Sequence, residues 1–268
     1  MAIKQIFYIY VHGSIHVAVA VLCMVLMTNH MFVLPFNLPM AGFAFFGTAF
    51  GYNFIKYQER FRRHLSISMY HKVVAFISIL SLLLGGWCFL LLSLKAQLAA
   101  LVIGVFAVLY AVPVSPRGNL RSLAGIKIYI VALCWAGVTT MMPLLNAGLG
   151  LGHDAWLKFC QRFLLVIILI LIFEIIDLSV DDPNLKTVPQ KIGVKNTRLL
   201  NVMLLGIFYF LEFAKNIVDT KQLLVNVILI LAVGLFTMFA TPERNKYYTL
   251  FWVESVPVFW LLMLYLFS

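Results

Sequence analysis

Glu174, Asp177 and Asp181 follow one another at i, i+3 and i+7, with Asp182 directly after them. On a helix that spacing sets three carboxylates on one face over two turns. The chain has only ten acidic residues, and four of them crowd where an apolar run ends. Like charges gathered in this way repel one another and need a compensating cation. An all-oxygen set suits a hard divalent ion, and Mg²⁺ in particular combines one or two carboxylates with waters and substrate phosphates. The expected chemistry is metal-assisted binding of a diphosphate, with Glu174, Asp177 and Asp181 as metal ligands and Asp177 and Asp181 acting on the reaction. The plainer reading is a solvated helix end, which we keep for Asp182, one residue before Pro183 in a turn.

Further candidates lie at other polar helix ends. In "GYNFIKYQERFRRH", residues 51–64, Asn53, Lys56, Tyr57 and Arg60 share a helical face. An amide, an ammonium, a phenol and a guanidinium can hold a phosphate directly, Arg by its fork and Lys as a point charge. Lys56 is the expected catalytic cation and Asn53, Tyr57 and Arg60 the expected substrate contacts. Lys56, Arg60, Arg62 and Arg63 are equally the basic residues that any cytoplasmic loop carries, or partners of anionic headgroups. Tyr110, Arg117 and Arg121 close the fourth apolar segment and Lys127 opens the fifth, where a charge needs a partner or snorkels to the interface. Lys186 follows the acidic cluster.

A membrane bundle must position these groups. The 268 residues are 63% hydrophobic and 11% charged, with mean hydropathy +1.00, well above the apolar share of a soluble globule. Apolar stretches of spanning length run over 7–29, 33–54, 73–94, 97–114, 123–147, 161–179, 199–215, 222–240 and 247–267. The reading is an all-α polytopic membrane protein with nine transmembrane helices. It forms one domain over residues 1–268, with cytoplasmic loops 55–72, 115–122, 180–198 and 241–246. The first segment is kept as a permanent span, because it is too apolar along its length for a signal peptide and no small-x-small site follows. With the N-terminus inside and the C-terminus outside, fifteen of the twenty Lys and Arg residues fall on the cytoplasmic side. That accounts for most of the net charge of +10 without nucleic acid as a partner. His12 and His16 have a zinc-compatible i, i+4 spacing but no third ligand nearby, which favours a hydrogen-bonded pair lining the bundle. Glu254, inside the last segment, either pairs with Lys127 or sits neutral in the wall. The four cysteines are scattered singly, with neither metal nor disulfide spacing.

Glu174-x-x-Asp177-x-x-x-Asp181, followed by Lys186-Thr187-Val188-Pro189 and Ile192-Gly193, resembles the second aspartate-rich motif of the UbiA-type intramembrane prenyltransferases. The resemblance implies nine helices in a ring around a central apolar cavity, with two acidic motifs holding Mg²⁺ and an isoprenyl diphosphate at a mouth facing the cytoplasm. The family's first motif, N-x-x-x-D-x-x-x-D, meets Asn53 here, but Tyr57 and Phe61 stand where its aspartates would be. Such a face cannot hold a second Mg²⁺ in the usual way. At the fourth segment Tyr110 matches a family tyrosine, while Val114 replaces the cation four positions on and leaves Arg117, Arg121 and Lys127 as substitutes.

The expected function is therefore Mg²⁺-dependent transfer of an isoprenyl group to a hydrophobic acceptor, an aromatic ring or a lipid, within the inner membrane. A terpene cyclase is the enzymatic variant. A member without catalysis, binding a lipid or a membrane partner, is the reading from another class.

Overall fold

A backbone amide inside a bilayer finds no water, so an apolar run must close its hydrogen bonds within itself, as a helix. The structure, a computed structural model, describes residues 2–62, 69–111, 125–182, 185–216 and 218–267, the side chains of residues 2, 3 and 58–62 excepted. Among these residues there are helices and turns and no strand. In chain order they are α1 (Ala2–His12), α2 (Ile15–Met31), α3 (Leu38–Arg62), α4 (Met69–Leu90), α5 (Leu94–Ala111), α6 (Ile126–Ala136), α7 (Met142–Asn146), α8 (His153–Asp177), α9 (Val188–Phe210), α10 (Thr220–Phe239) and α11 (Val256–Phe267). A π-helical turn, Gly137–Met141, joins α6 to α7, a 3-10 turn, Leu211–Ala214, ends α9, and a second π turn, Tyr248–Val253, leads to α11.

Seven of these units are long and apolar enough to cross a membrane: α4, α5, α6 with α7, α8, α9 with its 3-10 turn, α10, and the second π turn with α11. A further span forms if α1 and α2, bent by 59° at their break, are counted as one. α3 has the length, 25 residues, but Gly42, Gly47, Gly51 and Asn53 dilute its apolarity. Two expected boundaries are corrected. The segment read as 161–179 begins at His153, because Lys158 and Arg162 find partners inside the bundle and do not end the helix. The segment read as 199–215 begins at Val188, so much of the expected loop 180–198 is helix, with Lys191 and Lys195 exposed and Pro189 and Thr197 buried.

That polar half-helix is set at an angle by Gly193, whose φ of 80° and ψ of 161° interrupt α9. This backbone region is open essentially to glycine alone. Gly193→Ala is expected to cost about 1–3 kcal/mol, read as a lower unfolding midpoint in detergent.

The helices pack in sequence and close on themselves. α2 lies on α3, α3 on α4 and α7, α6 on α8, α8 on α9, α9 on α10, α10 on α11, and α11 returns to α2. α8 is the most enclosed, with Leu165, Ile168, Leu171, Ile172 and Ile175 at the centre of the larger apolar core. α4 has the reverse pattern: it buries Val74, Ser81 and Gly85 and exposes Leu82, Leu83 and Trp87. Small residues inward and bulky apolar residues outward are what a helix facing lipid requires.

The π turns do structural work through the carbonyls they loosen from the regular ladder. Thr139 C=O accepts the Thr28 hydroxyl (2.5 Å) and Arg162 Nη1 (3.2 Å). Phe251 C=O accepts His16 Nε2 (3.0 Å) and the Ser255 hydroxyl (2.6 Å). α2 is thereby pinned to both broken spans.

Candidate functional site

α8 ends at Asp177, but the chain makes one further turn, with the Val180 and Asp181 amides donating to Asp177 C=O at 2.9 and 2.8 Å. Asp181 therefore lies close to the acidic end it was expected to share. The three carboxylates divide into two groups. Glu174 is buried, its Oε1 paired with Lys127 Nζ at 2.9 Å and its Oε2 accepting the Val188 amide at 3.0 Å. The Thr187 amide in turn donates to Gln190 Oε1 at 2.9 Å, and Pro189 has no amide hydrogen to satisfy. Thr187, Val188 and Pro189 thus begin α9 with its free donors accounted for, and Glu174 ties that start to α8 and α6. Lys127 pairs with Glu174 and not with Glu254.

Asp177 and Asp181 are partly exposed. Neither side chain has a hydrogen bond or an ion pair among the described residues. The charges acting most on Asp177 are those of Asp181, Lys246, Lys127 and Glu174, so two cations lie near without bonding the carboxylate. Among the described residues no three His, Cys, Asp or Glu side chains gather closely enough to hold a metal by themselves. The donor set that fits Mg²⁺ is the two unbonded carboxylates together with oxygens of a bound phosphate, a normal arrangement for this ion.

At the second polar helix end the candidate residues meet the break in the first span. Asn53 Nδ2 donates to Gly13 C=O (3.0 Å), Tyr57 donates to His12 C=O (3.2 Å) while accepting from the Tyr70 hydroxyl (2.8 Å), and Lys56 Nζ donates to the Ser14 hydroxyl (3.2 Å). A helix that breaks abandons carbonyls, and buried carbonyls need donors. Three consecutive residues of the break are served by one face of α3. Among the described residues the buried Asn53 amide oxygen meets no donor. A Cβ on Gly13 would lie 2.4 Å from Ile9 C=O, so Gly13→Ala is expected to cost about 1–3 kcal/mol as overpacking. Asn53→Leu, which orphans the Gly13 carbonyl, is expected to cost a comparable 1–3 kcal/mol or so. Both are measurable as shifts in unfolding midpoint.

The other expected residues are more scattered. Tyr110 is half-buried and acts on Tyr52, which accepts the Trp135 indole N–H at 2.8 Å. Lys186 is exposed, with a positive φ of 49°. The side chain of Arg60, the residues Arg117 and Arg121, and the loop 115–122 lie outside the described residues. Glu254 follows the second π turn, in the neighbourhood of Lys56, Tyr52 and Tyr10. His16 is the hydrogen-bonded histidine expected: Nε2 donates to Phe251 C=O, so Nδ1 accepts from the Tyr10 hydroxyl at 2.9 Å. His12 packs against Tyr8 and Tyr247.

One cluster escaped the sequence reading. Glu212, fully buried, accepts from Lys158 (2.8 Å), Gln161 (2.9 Å) and Asn226 (3.1 Å) and pairs with Lys215. Arg162, also buried, donates to Met24 C=O (2.5 Å) and lies over the Trp260 ring. The signal was present in the ionisable residues inside two apolar segments, since such groups in a membrane are costly and need partners.

The chain has the UbiA fold, as its likeness to solved structures shows. A UbiA homologue from Archaeoglobus fulgidus bound to Cd²⁺ superposes with a TM-score of 0.63 at 16% identity, over 96% of this chain and 98% of that one. A UbiA homologue from the same organism bound to GPP and Mg²⁺ gives 0.61 at 13%, over 95% and 99%. A digeranylgeranylglyceryl phosphate synthase structure gives 0.59 at 18%, over 97% and 94%. No family model matches the chain, and no curated relative matches it.

Proposed function

We propose that the chain is a UbiA-type intramembrane prenyltransferase, which uses Mg²⁺ to transfer an isoprenyl group from its diphosphate to a hydrophobic acceptor, an aromatic molecule or a lipid. The observation that carries this reading is the Asp177–Asp181 pair, unbonded among the described residues, in a fold shared with a homologue that binds GPP and Mg²⁺. Asp177 and Asp181 hold the ion. When bound, Mg²⁺ supplies positive charge against which pyrophosphate departs. Lys127 and Lys246 add charge beside it, and Lys56 and Lys186, with Asn53, Tyr57 and Tyr110, are the further substrate contacts of this reading; Arg60, Arg117 and Arg121 belong to the same expected set. Loss of pyrophosphate leaves an allylic cation among apolar and aromatic side chains, the rings stabilising it through their faces; an electron pair of the acceptor forms the new bond, and the proton the acceptor then loses passes to the departed pyrophosphate.

In this reading nine helices span the inner membrane with the N-terminus inside. The Asp177 end then opens to the cytoplasm, on the side that holds most of the Lys and Arg residues. Calorimetric titration of the purified protein with GPP tests the claim. Binding is expected at least tenfold tighter in Mg²⁺ than in EDTA, a difference of about 1.4 kcal/mol. Equal affinity in the two would contradict it.

A second reading is favoured by one observation: Asn53, Lys56 and Tyr57, the residues at the place of the family's first motif, are engaged by the α1–α2 break. On that reading the protein binds an isoprenyl diphosphate or another lipid without turning it over. Mg²⁺-dependent GPP binding with no product across a panel of aromatic and lipid acceptors would select it.

A further inference from the structure

We propose that the end of the bundle opposite Asp177 holds a structural phospholipid, with a zwitterionic, amine-bearing headgroup, in a cavity built around the Lys158–Glu212–Lys215 cluster. The cavity is about 410 Å³ and lies between the end of α2, the starts of α8 and α10, and the end of α11. Lys158 is five residues into α8, roughly 8 Å along the axis at 1.5 Å per residue. From Asp177 it is separated by about 28 Å on the same scale, so this site is distinct from the proposed diphosphate site.

The donor count calls for a ligand. Glu212 Oε2 already accepts three donors and Oε1 accepts Lys215, which fills the roughly four acceptor sites of a carboxylate. Lys158, only 2% exposed, donates to nothing else among the described residues, although an ammonium has three N–H groups. Lys158 and Lys215 therefore share one carboxylate whose acceptor sites are filled, and both line the cavity. A phosphate oxygen is the matching acceptor.

Carboxylates join the lining nearer the rim. Asp154 and Asp219 each give one oxygen to a backbone amide, Asn216 at 3.0 Å and Lys221 at 2.9 Å, and keep a negative charge on the lining. Lys221 lies on the same lining, so the rim carries both signs: Lys215 and Lys221 offer cations to a phosphate, and Asp154 and Asp219 offer carboxylates to an ammonium.

The apolar part of the site fits the remainder of a lipid. Phe32, Val33, Leu264 and Phe267 wall the same cavity, and Val33 is 91% exposed. A second groove of about 570 Å³ shares His30 and Val33 with it and continues along Leu26, Leu34, Phe36 and Tyr265. A polar chamber adjoining an apolar groove at His30 and Val33 suits one amphipathic molecule better than a free anion.

The test is native mass spectrometry of the full chain ejected from nanodiscs of equal phosphatidylethanolamine and phosphatidylglycerol. One phospholipid per chain is expected to survive, predominantly phosphatidylethanolamine. The double variant Lys215→Gln, Lys221→Gln is expected to lose about tenfold in retained lipid, about 1.4 kcal/mol. Asp219→Asn keeps the oxygen that caps the Lys221 amide, so it preserves the fold, and it is expected to shift the retained lipid toward phosphatidylglycerol. Retention and headgroup preference unchanged in both variants would overturn the proposal. So would displacement of the lipid by millimolar inorganic phosphate, which would identify the site as one for a free anion.

Discussion

Asp177→Asn lowers the affinity for GPP in Mg²⁺ by about 100-fold, or about 2.7 kcal/mol, and leaves the unfolding midpoint where it was. The two halves of this expectation come from one fact: Asp177 has no hydrogen bond or ion pair among the described residues, so an isosteric amide orphans no donor. What the change removes is the negative charge a divalent ion requires, and with it the charge that the pyrophosphate would meet. Glu174→Gln is the instructive contrast. Glu174 holds Lys127 and the first amide of α9, so its loss is expected to lower stability as well as affinity. Calorimetry beside a melting curve for each variant separates the two roles.

The largest effect on stability is expected at Glu212. Glu212→Leu leaves Lys158 buried without its carboxylate, and breaking a buried pair from one side costs about 3–5 kcal/mol. The neutral bonds from Gln161 and Asn226 weigh less, since side-chain hydrogen bonds in membrane proteins average about 0.6 kcal/mol. If charge dominates, Lys158→Met added to Glu212→Leu recovers most of the loss, because no ion then stays buried and unpaired. Lys215 is 11% exposed and can turn toward water. Midpoints of the two single variants and the double variant, measured in one detergent, give the coupling.

Much of the bundle was legible in the residues. Apolar length marked the helices, and the spacing of Glu174, Asp177 and Asp181 marked the acidic end of α8. Periodicity could not show which of the three stays available. That depended on Lys127, forty-seven positions earlier in the chain, and on the amide of Val188, and neither contact follows from a local pattern. The break at Gly13–Ser14 was hidden in a stretch apolar enough to look continuous. It became visible only with the α3 face that serves its carbonyls, where the same Asn53, Lys56 and Tyr57 had been read as phosphate contacts. Charge in the sequence sets the start of this span at residue 161, whereas in the structure Lys158 and Arg162 are stabilised inside the bundle by Glu212 and by the carbonyls of Met24 and Thr139 and α8 begins at His153. Where a buried charge has a distant partner, local hydropathy misplaces the boundary.

The proposed function requires that Asp177 and Asp181 together hold a divalent ion against a diphosphate. Crystals of the full chain grown with GPP and Mn²⁺, which scatters anomalously where Mg²⁺ does not, test this most directly. The predicted result is an anomalous peak within coordination distance of both carboxylates, absent from crystals of Asp177→Asn. A peak bound elsewhere, or GPP ordered in the bundle with no metal beside either carboxylate, would contradict it.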